Sequence, residues 1–171
     1  MTRLLAVLGL ALGLVSCGPN TKAAQDNLQA ANAFMAANGK QPGVVTLADG
    51  LQYRIIAKGA ADGPKPNPAD EIKVHYEGRL LGPADKPLQG KVFDSSFERG
   101  TPADFPALSG LIPAWVEALQ QMRPGDEWLL FVPPALGYGA NETGPIPANS
   151  VLVFRIRLIG VLPHPGGAAM G

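Results

Sequence analysis

The residue types that usually run covalent or metal chemistry are almost missing from this sequence. It holds two histidines, His75 and His164, and one cysteine, Cys17. His75 falls on the polar side of a strand pattern and His164 in a Gly/Pro-rich tail, so neither a metal cluster nor a Ser-His-Asp arrangement can be drawn. Tyr138-Gly139-Ala140-Asn141 lacks the spacing and the following lysine of a phosphate-binding loop. What remains is a set of aromatics placed one at a time, most of them beside turns. Tyr76 precedes Glu77-Gly78, Phe93 precedes Asp94, Trp115 follows Pro113-Ala114, and Tyr138 sits between two glycines. Any one of them reads as ordinary core packing. Together they point to a concave site lined by rings and carrying a few polar handles.

The elements that must position these rings are mostly strands. From Val44 the apolar pattern runs at period two. Residues 51–56 read as a first strand. Residues 71–81 alternate, with Ile72, Val74, Tyr76 and Gly78 on one face and Glu71, Lys73, His75, Glu77 and Arg79 on the other. Residues 91–94, 127–132 and 151–161 give further strands; in the last, Leu152, Phe154, Ile156 and Leu158 face inward while Arg155 and Arg157 point out. Residues 111–122 are the one helical pattern inside this region, with Ile112, Trp115, Leu119 and Met122 on a shared face and Pro113 near the start. Gly/Pro-rich stretches at 59–70 and 82–90 are loops. The expected fold class is α+β: an antiparallel sheet of five to six strands with one apolar face, wrapped around one short helix, over residues 44–162.

Composition narrows the function further. Formal net charge is zero and no Lys/Arg run clusters on one segment, which removes the electrostatic footprint of a nucleic-acid binder. Residues 22–38 carry neither Pro nor Gly and read as a helix ended by Gly39 and Pro42. Its larger apolar residues, Leu28, Phe34 and Met35, form a thin stripe. This favours a solvated arm over a dimerisation helix, and with it a monomer. After Leu162 the tail, 163–171, is too rich in Gly, Pro and Ala to fold.

At the other end, Arg3 precedes an apolar run over residues 4–15. A helix of that length spans about 18 Å, short of a hydrocarbon core of roughly 30 Å, so the run reads as a signal sequence. Leu14-Val15-Ser16-Cys17 resembles the bacterial lipobox. The resemblance implies that residues 1–16 are a lipoprotein signal peptide and that Cys17 is diacylated as the first mature residue. Residues 17–43 would then form a lipidated N-terminus and helical arm. Gly18 stands where aspartate would signal inner-membrane retention. The expected location is therefore the outer membrane, facing the periplasm, through a lipid anchor on Cys17.

Five blocks inside residues 44–162 carry a second resemblance: Val74-His75-Tyr76-Glu77-Gly78, Val92-Phe93-Asp94-Ser95-Ser96, Leu111-Ile112-Pro113-Ala114-Trp115, Gly137-Tyr138-Gly139 and Ile146-Pro147-Ala148-Asn149-Ser150. In this order and rough spacing they resemble FKBP-type peptidyl-prolyl cis-trans isomerases. Gly50-Leu51-Gln52-Tyr53 is similar to the macrophage infectivity potentiator branch of bacterial members. Of the helical region that precedes the domain in that branch, the expected counterpart here is a segment ending near Phe34-Met35-Ala36-Ala37-Asn38.

The resemblance implies an isomerase that assists the folding of exported proteins by binding a twisted X–Pro amide, with no cofactor and no metal. Trp115 would be the floor of the site, with Tyr76, Phe93, Phe105 and Phe154 as walls and Leu111 and Ile112 as rim. The Ile112 N–H and the Tyr138 hydroxyl would hydrogen-bond substrate carbonyls. Asp94, positioned by Arg99 and Tyr76, would place a carboxylate beside the amide, and Ile146 would meet the substrate from the 141–148 loop. Implied partners are proline-containing unfolded or nascent exported polypeptides and a macrolide inhibitor of the FK506 type. A non-catalytic peptide-binding chaperone using the same groove is the alternative reading. The 82–90 loop is longer than is usual in the family and is expected on the pocket side. Ala103 and the altered 141–148 loop should reshape the rim.

Overall fold

A computed structural model of the chain describes residues 21–164. The expected signal peptide, Cys17 and most of the tail lie outside the described residues. An N-terminal helix, α1 (Thr21–Asn38), is followed by a seven-stranded antiparallel sheet: β1 (Val45–Thr46), β2 (Gln52–Ala57), β3 (Glu71–Leu80), β4 (Val92–Ser95), β5 (Ala103–Phe105), β6 (Glu127–Val132) and β7 (Leu152–Leu162). The one-turn helix α2 (Ser96–Arg99) follows β4 directly, and α3 (Pro113–Leu119) lies between β5 and β6. Strand order is β1-β2-β6-β7-β3-β4, with β5 also paired to β3. The sheet exceeds the expected five to six strands because β1 and β5, at two and three residues, are too short to leave a period in the sequence.

Register decides which residues share a face. Tyr76 pairs with Ile156 and Ile156 with Trp128; Gly78 pairs with Phe154 and Phe154 with Leu130. Of these front-face residues, all but Gly78 join Val74, Leu158, Val132, Trp115, Ala118, Leu119 and Met122 in the main core. The alternation read in residues 71–81 is therefore the burial pattern of β3, and the inward set of β7 is buried as expected. Burial of this contiguous apolar surface is what the fold rests on.

The helix against this core is shorter than the sequence pattern. Ile112 is extended (ψ 148°) because the ring of Pro113 disfavours a helical conformation in the residue before it, and Leu111 ahead of it is extended as well (ψ 169°). Pro113 then occupies the first helical position, where a missing N–H costs nothing.

Two expectations are corrected on the sheet's other face. The helical arm does not stand free in solvent: one of its faces docks on the sheet. β6 is buried at all six positions, so its second face needs a cover that a sheet with one apolar face would not. Leu129, Phe131 and Val153 form a second cluster there, and Phe34, Met35, Val44 and Leu81 pack against it. The Phe34 and Phe131 rings lie 5.9 Å apart. Asn38 Nδ2 donates to Gln52 Oε1 (2.9 Å) and Gln52 Nε2 donates to the Met35 carbonyl (2.8 Å), pinning the helix C-terminus to β2. Gly39 is glycine for this close approach: a Cβ there would lie 2.9 Å from Gln52 Nε2.

The 82–90 loop likewise lies toward α1 and away from the ring-bearing front face. Leu81, leading into it, belongs to the back-face cluster, and Arg79 on that same face donates to the Leu88 carbonyl. Among the described residues no helix is long and apolar enough to cross a membrane.

Candidate active site

The expected rings do converge. Tyr76, Phe93, Asp94, Phe105, Gly110, Leu111, Ile112, Trp115, Tyr138 and Phe154 line one cavity of about 310 Å³. Trp115 is its floor, 4% exposed, because α3 lays the indole against the front of the sheet. Three rings meet it edge-on: Tyr76 at 5.2 Å, Phe154 at 5.4 Å and Phe105 at 5.6 Å between centroids. Phe93 stands edge-on to Phe154 at 5.7 Å. Edge-to-face pairs of this kind hold the cup's shape beyond simple area burial. Among buried side-chain polar atoms of the described residues, Trp115 Nε1 has no hydrogen-bond partner.

Gly78 makes room for these walls. A Cβ at this position would lie 2.6 Å from Phe93 Cε2 and 2.7 Å from Phe154 Cε1. The sequence placed Gly78 on the inner face but gave it no role. The signal was a glycine in the middle of an alternating strand, which marks close approach by a neighbour.

One polar group projects over the cavity. Asp94 accepts from the Tyr76 hydroxyl through Oδ2 and from Arg99 Nη1 through Oδ1, while Arg99 Nη2 donates to the Tyr76 hydroxyl at 3.2 Å. Burial by itself would raise the Asp94 pKa, but the bonds from Tyr76 and Arg99 outweigh it and hold the carboxyl below its ordinary value. Burial, with the bond to Asp94, raises the Tyr76 pKa, so the phenol keeps its proton and donates it.

Local structure explains why Arg99 is there. Ser95 caps α2 by accepting from Glu98 N (3.2 Å), and Gly100 ends the turn at φ 69°. Ser96, fully buried, was missed in the sequence. Its Oγ accepts from Tyr76 N (2.7 Å) and donates to Tyr76 O (3.2 Å), and His75 Nδ1 lies 3.0 Å from it. It thereby locks α2 to the residue that holds Asp94.

The remaining expected residues divide. Leu111 and Ile112 form the rim through their extended backbone, and Tyr138, 37% exposed, borders the mouth. Arg99 acts through Asp94 and Tyr76 and does not line the cavity. Ile146 does not line it either: it is 5% exposed and joins the main core. The reciprocal bonds between Thr143 and Ile146, each 3.0 Å, close a tight turn that carries Ile146 into the core.

Comparison with known proteins accords with this geometry. The family model for FKBP-type peptidyl-prolyl cis-trans isomerase matches residues 63–159, and that for the domain amino terminal to it matches residues 18–55. The chain is 46% identical over 136 residues to the peptidyl-prolyl cis-trans isomerase Mip of Coxiella burnetii, covering 79% of this chain and 55% of the relative. It is 44% identical over 141 residues to the outer membrane protein MIP of Legionella longbeachae, covering 82% and 56%. The chain thus spans about half the length of the curated relatives it matches. Among solved structures, FkpA from Escherichia coli aligns with TM-score 0.74 at 37% identity, covering 84% of this chain and 63% of that one. A peptidyl-prolyl cis-trans isomerase from Pseudomonas syringae aligns with TM-score 0.71 at 36% identity, covering 86% and 99%.

Proposed function

The chain belongs to the FKBP-type peptidyl-prolyl cis-trans isomerase family, and we propose that it catalyses rotation about X–Pro bonds in exported polypeptides, using the ring-lined cavity. The observation that carries this reading is the Trp115 floor walled edge-on by Tyr76, Phe105 and Phe154, with the Asp94 carboxylate above it.

An X–Pro bond resists rotation because twisting breaks amide resonance, a barrier of about 18–20 kcal/mol. The twisted amide has lost much of its charge separation, so an apolar cup penalises it less than the planar ground state. The proline ring sits on Trp115. The Ile112 N–H and the Tyr138 hydroxyl hold the flanking carbonyls, and Asp94 faces the rotating amide. No proton or covalent bond moves. Binding the twisted form better by about 8 kcal/mol corresponds to roughly 10⁶-fold acceleration.

A proline-limited peptide assay tests the reading, run with and without a macrolide of the FK506 type. We expect a rate proportional to protein concentration and suppressed by the macrolide. A wild type that gives no rate above background yet suppresses aggregation of an unfolded client would leave only the peptide-binding chaperone.

Residues 1–17 carry the location. Together with the likeness to the Legionella relative, an outer membrane protein by name, they support an envelope protein anchored through lipid on Cys17. Two acyl chains are what stable anchoring needs, since one gives reversible binding. Cys17→Ser should move the protein from the membrane to the soluble fraction. Its retention in the membrane would rule out the lipid on Cys17.

A further inference from the structure

Tyr138, at the cavity's mouth, belongs to a loop, residues 137–150, in the connection between β6 and β7. The loop's base is closed by Asn149, whose N–H donates to the Gly139 carbonyl at 2.7 Å, one residue from Tyr138. Asn149 adopts φ 56°, the one positive φ at a non-glycine among the described residues. Asparagine tolerates that conformation, though glycine would adopt it more freely. Here the side chain has a use that glycine could not serve. Asn149 Nδ2 donates to the Ala24 carbonyl of α1 at 3.0 Å, and in the reverse sense Asn27 Nδ2 of α1 donates to the Ala148 carbonyl at 2.9 Å. Ala31 and Ala148 are buried at this crossing, 2% and 6% exposed, beside a cleft that Asn27 and Asn149 also line.

We propose that Asn149 is a positioning residue that couples α1 to Tyr138, so that the docked N-terminal helix sets how tightly the site holds its substrate. The proposal rests on the isomerase reading, in which the Tyr138 hydroxyl bonds a substrate carbonyl. The chain of contact is short: the Ala24 carbonyl holds the Asn149 amide, the Asn149 backbone holds Gly139, and Gly139 is bonded to Tyr138. Gly139 N in turn donates to the Pro134 carbonyl at 2.9 Å, so the inner side of the loop is already anchored to the domain. Its returning end, Ala148-Asn149, is anchored to α1. Loosening that end lets the hydroxyl wander, and a shift of that kind acts on substrate affinity before it acts on the rotation itself.

Asn149→Gly is the clean variant, since it keeps the positive φ and removes only the amide. In a peptide isomerase assay it should raise KM about 3- to 10-fold, the size of one lost neutral hydrogen bond, with kcat within about 2-fold of wild type. The same substitution in a Tyr138→Phe background should have almost no further effect, because the hydroxyl it positions is gone. An unchanged KM, or an equal loss in both backgrounds, overturns the proposal. A second measurement stands apart from turnover: amide exchange at position 149, whose N–H closes the loop on the Gly139 carbonyl, should speed at least about 10-fold in Asn149→Gly while β6 and β7 stay protected. If the wild type turned over no peptide, the isomerase reading would fall. Exchange that did not change would still show, separately, that the Asn149–Ala24 bond does not hold the loop.

Discussion

The Tyr76 hydroxyl donates to Asp94 directly across the edge of a cavity floored by Trp115, so the residue that forms one wall also aims the carboxylate. Arg99 completes the arrangement by donating to both partners. Three side chains from β3, β4 and α2 thus place one charge at the mouth of an otherwise apolar cup. Asp94 remains about two-fifths exposed, 42% for its side chain, so its contribution is to orientation more than to stability.

Asp94→Val should therefore lower kcat/KM by about 10-fold or more with the fold intact. Tyr76→Phe, which removes one of the two groups holding the carboxylate, should cost a few-fold, roughly what one hydrogen bond is worth. Peptide kinetics beside a thermal melt separate the two effects. Unchanged kinetics in Asp94→Val would remove the role assigned to it.

The pH dependence follows from the same bonds. Asp94 is held below its ordinary value of 3.8, so its ionised form is the native one. Its interactions are fully present above that value and are lost as pH falls through the depressed one. Turnover should thus show no limb from Asp94 between about pH 5 and 8, and should fall only in stronger acid. An Asp94-dependent limb near neutrality, one absent in Asp94→Asn, would contradict this.

Gly78→Ala should damage the site more than its size suggests. The added methyl meets Phe93 and Phe154 at under 3 Å, and one of the two rings must move. Overpacking of this kind costs about 1–3 kcal/mol, and here the displaced ring is a cavity wall. Peptide affinity should drop along with Tm. A variant with wild-type affinity would show that the walls have slack.

On the sheet's other face, Glu127 is 2% exposed and accepts from Arg155 Nε (2.6 Å) and Arg157 Nε (2.7 Å). Burial alone would raise its pKa, but the two arginine bonds outweigh burial and hold it below its ordinary 4.5. Its stabilisation is complete above that value and is lost as pH falls through the depressed one. Glu127→Gln should cost about 1–3 kcal/mol near neutrality, kept modest because both arginines are half in water, and should flatten the acid limb of a Tm-versus-pH curve. A variant whose acid limb matched the wild type would place the acid-sensitive group elsewhere.

Much of this was legible in the sequence, and the reasons for the rest are physical. The alternation in β3 and β7 and the isolated aromatics were readable because a half-buried strand writes its burial at period two. The docking of α1 was hidden because only Phe34 and Met35 of its docked face are large and apolar; the rest is Ala31, Asn38 and the half-buried Ala24 and Asn27, so the stripe looks thinner than the face it buries. The better signal lay elsewhere, in the unbroken run from Trp128 to Val132, which required cover on both faces. Ser96 and Asn149 act through backbone groups distant in sequence, and such pairings leave no local pattern. Ile146 was placed at the site by resemblance, whereas the Thr143–Ile146 turn carries it into the core.

The central claim is that this cavity speeds rotation as well as binding proline. Two-dimensional NMR exchange on an X–Pro peptide with a small fraction of the protein separates the two. Uncatalysed exchange takes tens to hundreds of seconds and yields no cis–trans cross-peaks on the mixing timescale. Strong cross-peaks are expected with the wild type and clearly weaker ones with Asp94→Val at the same protein fraction. Peptide resonances that shift on binding while no cross-peak grows would contradict it.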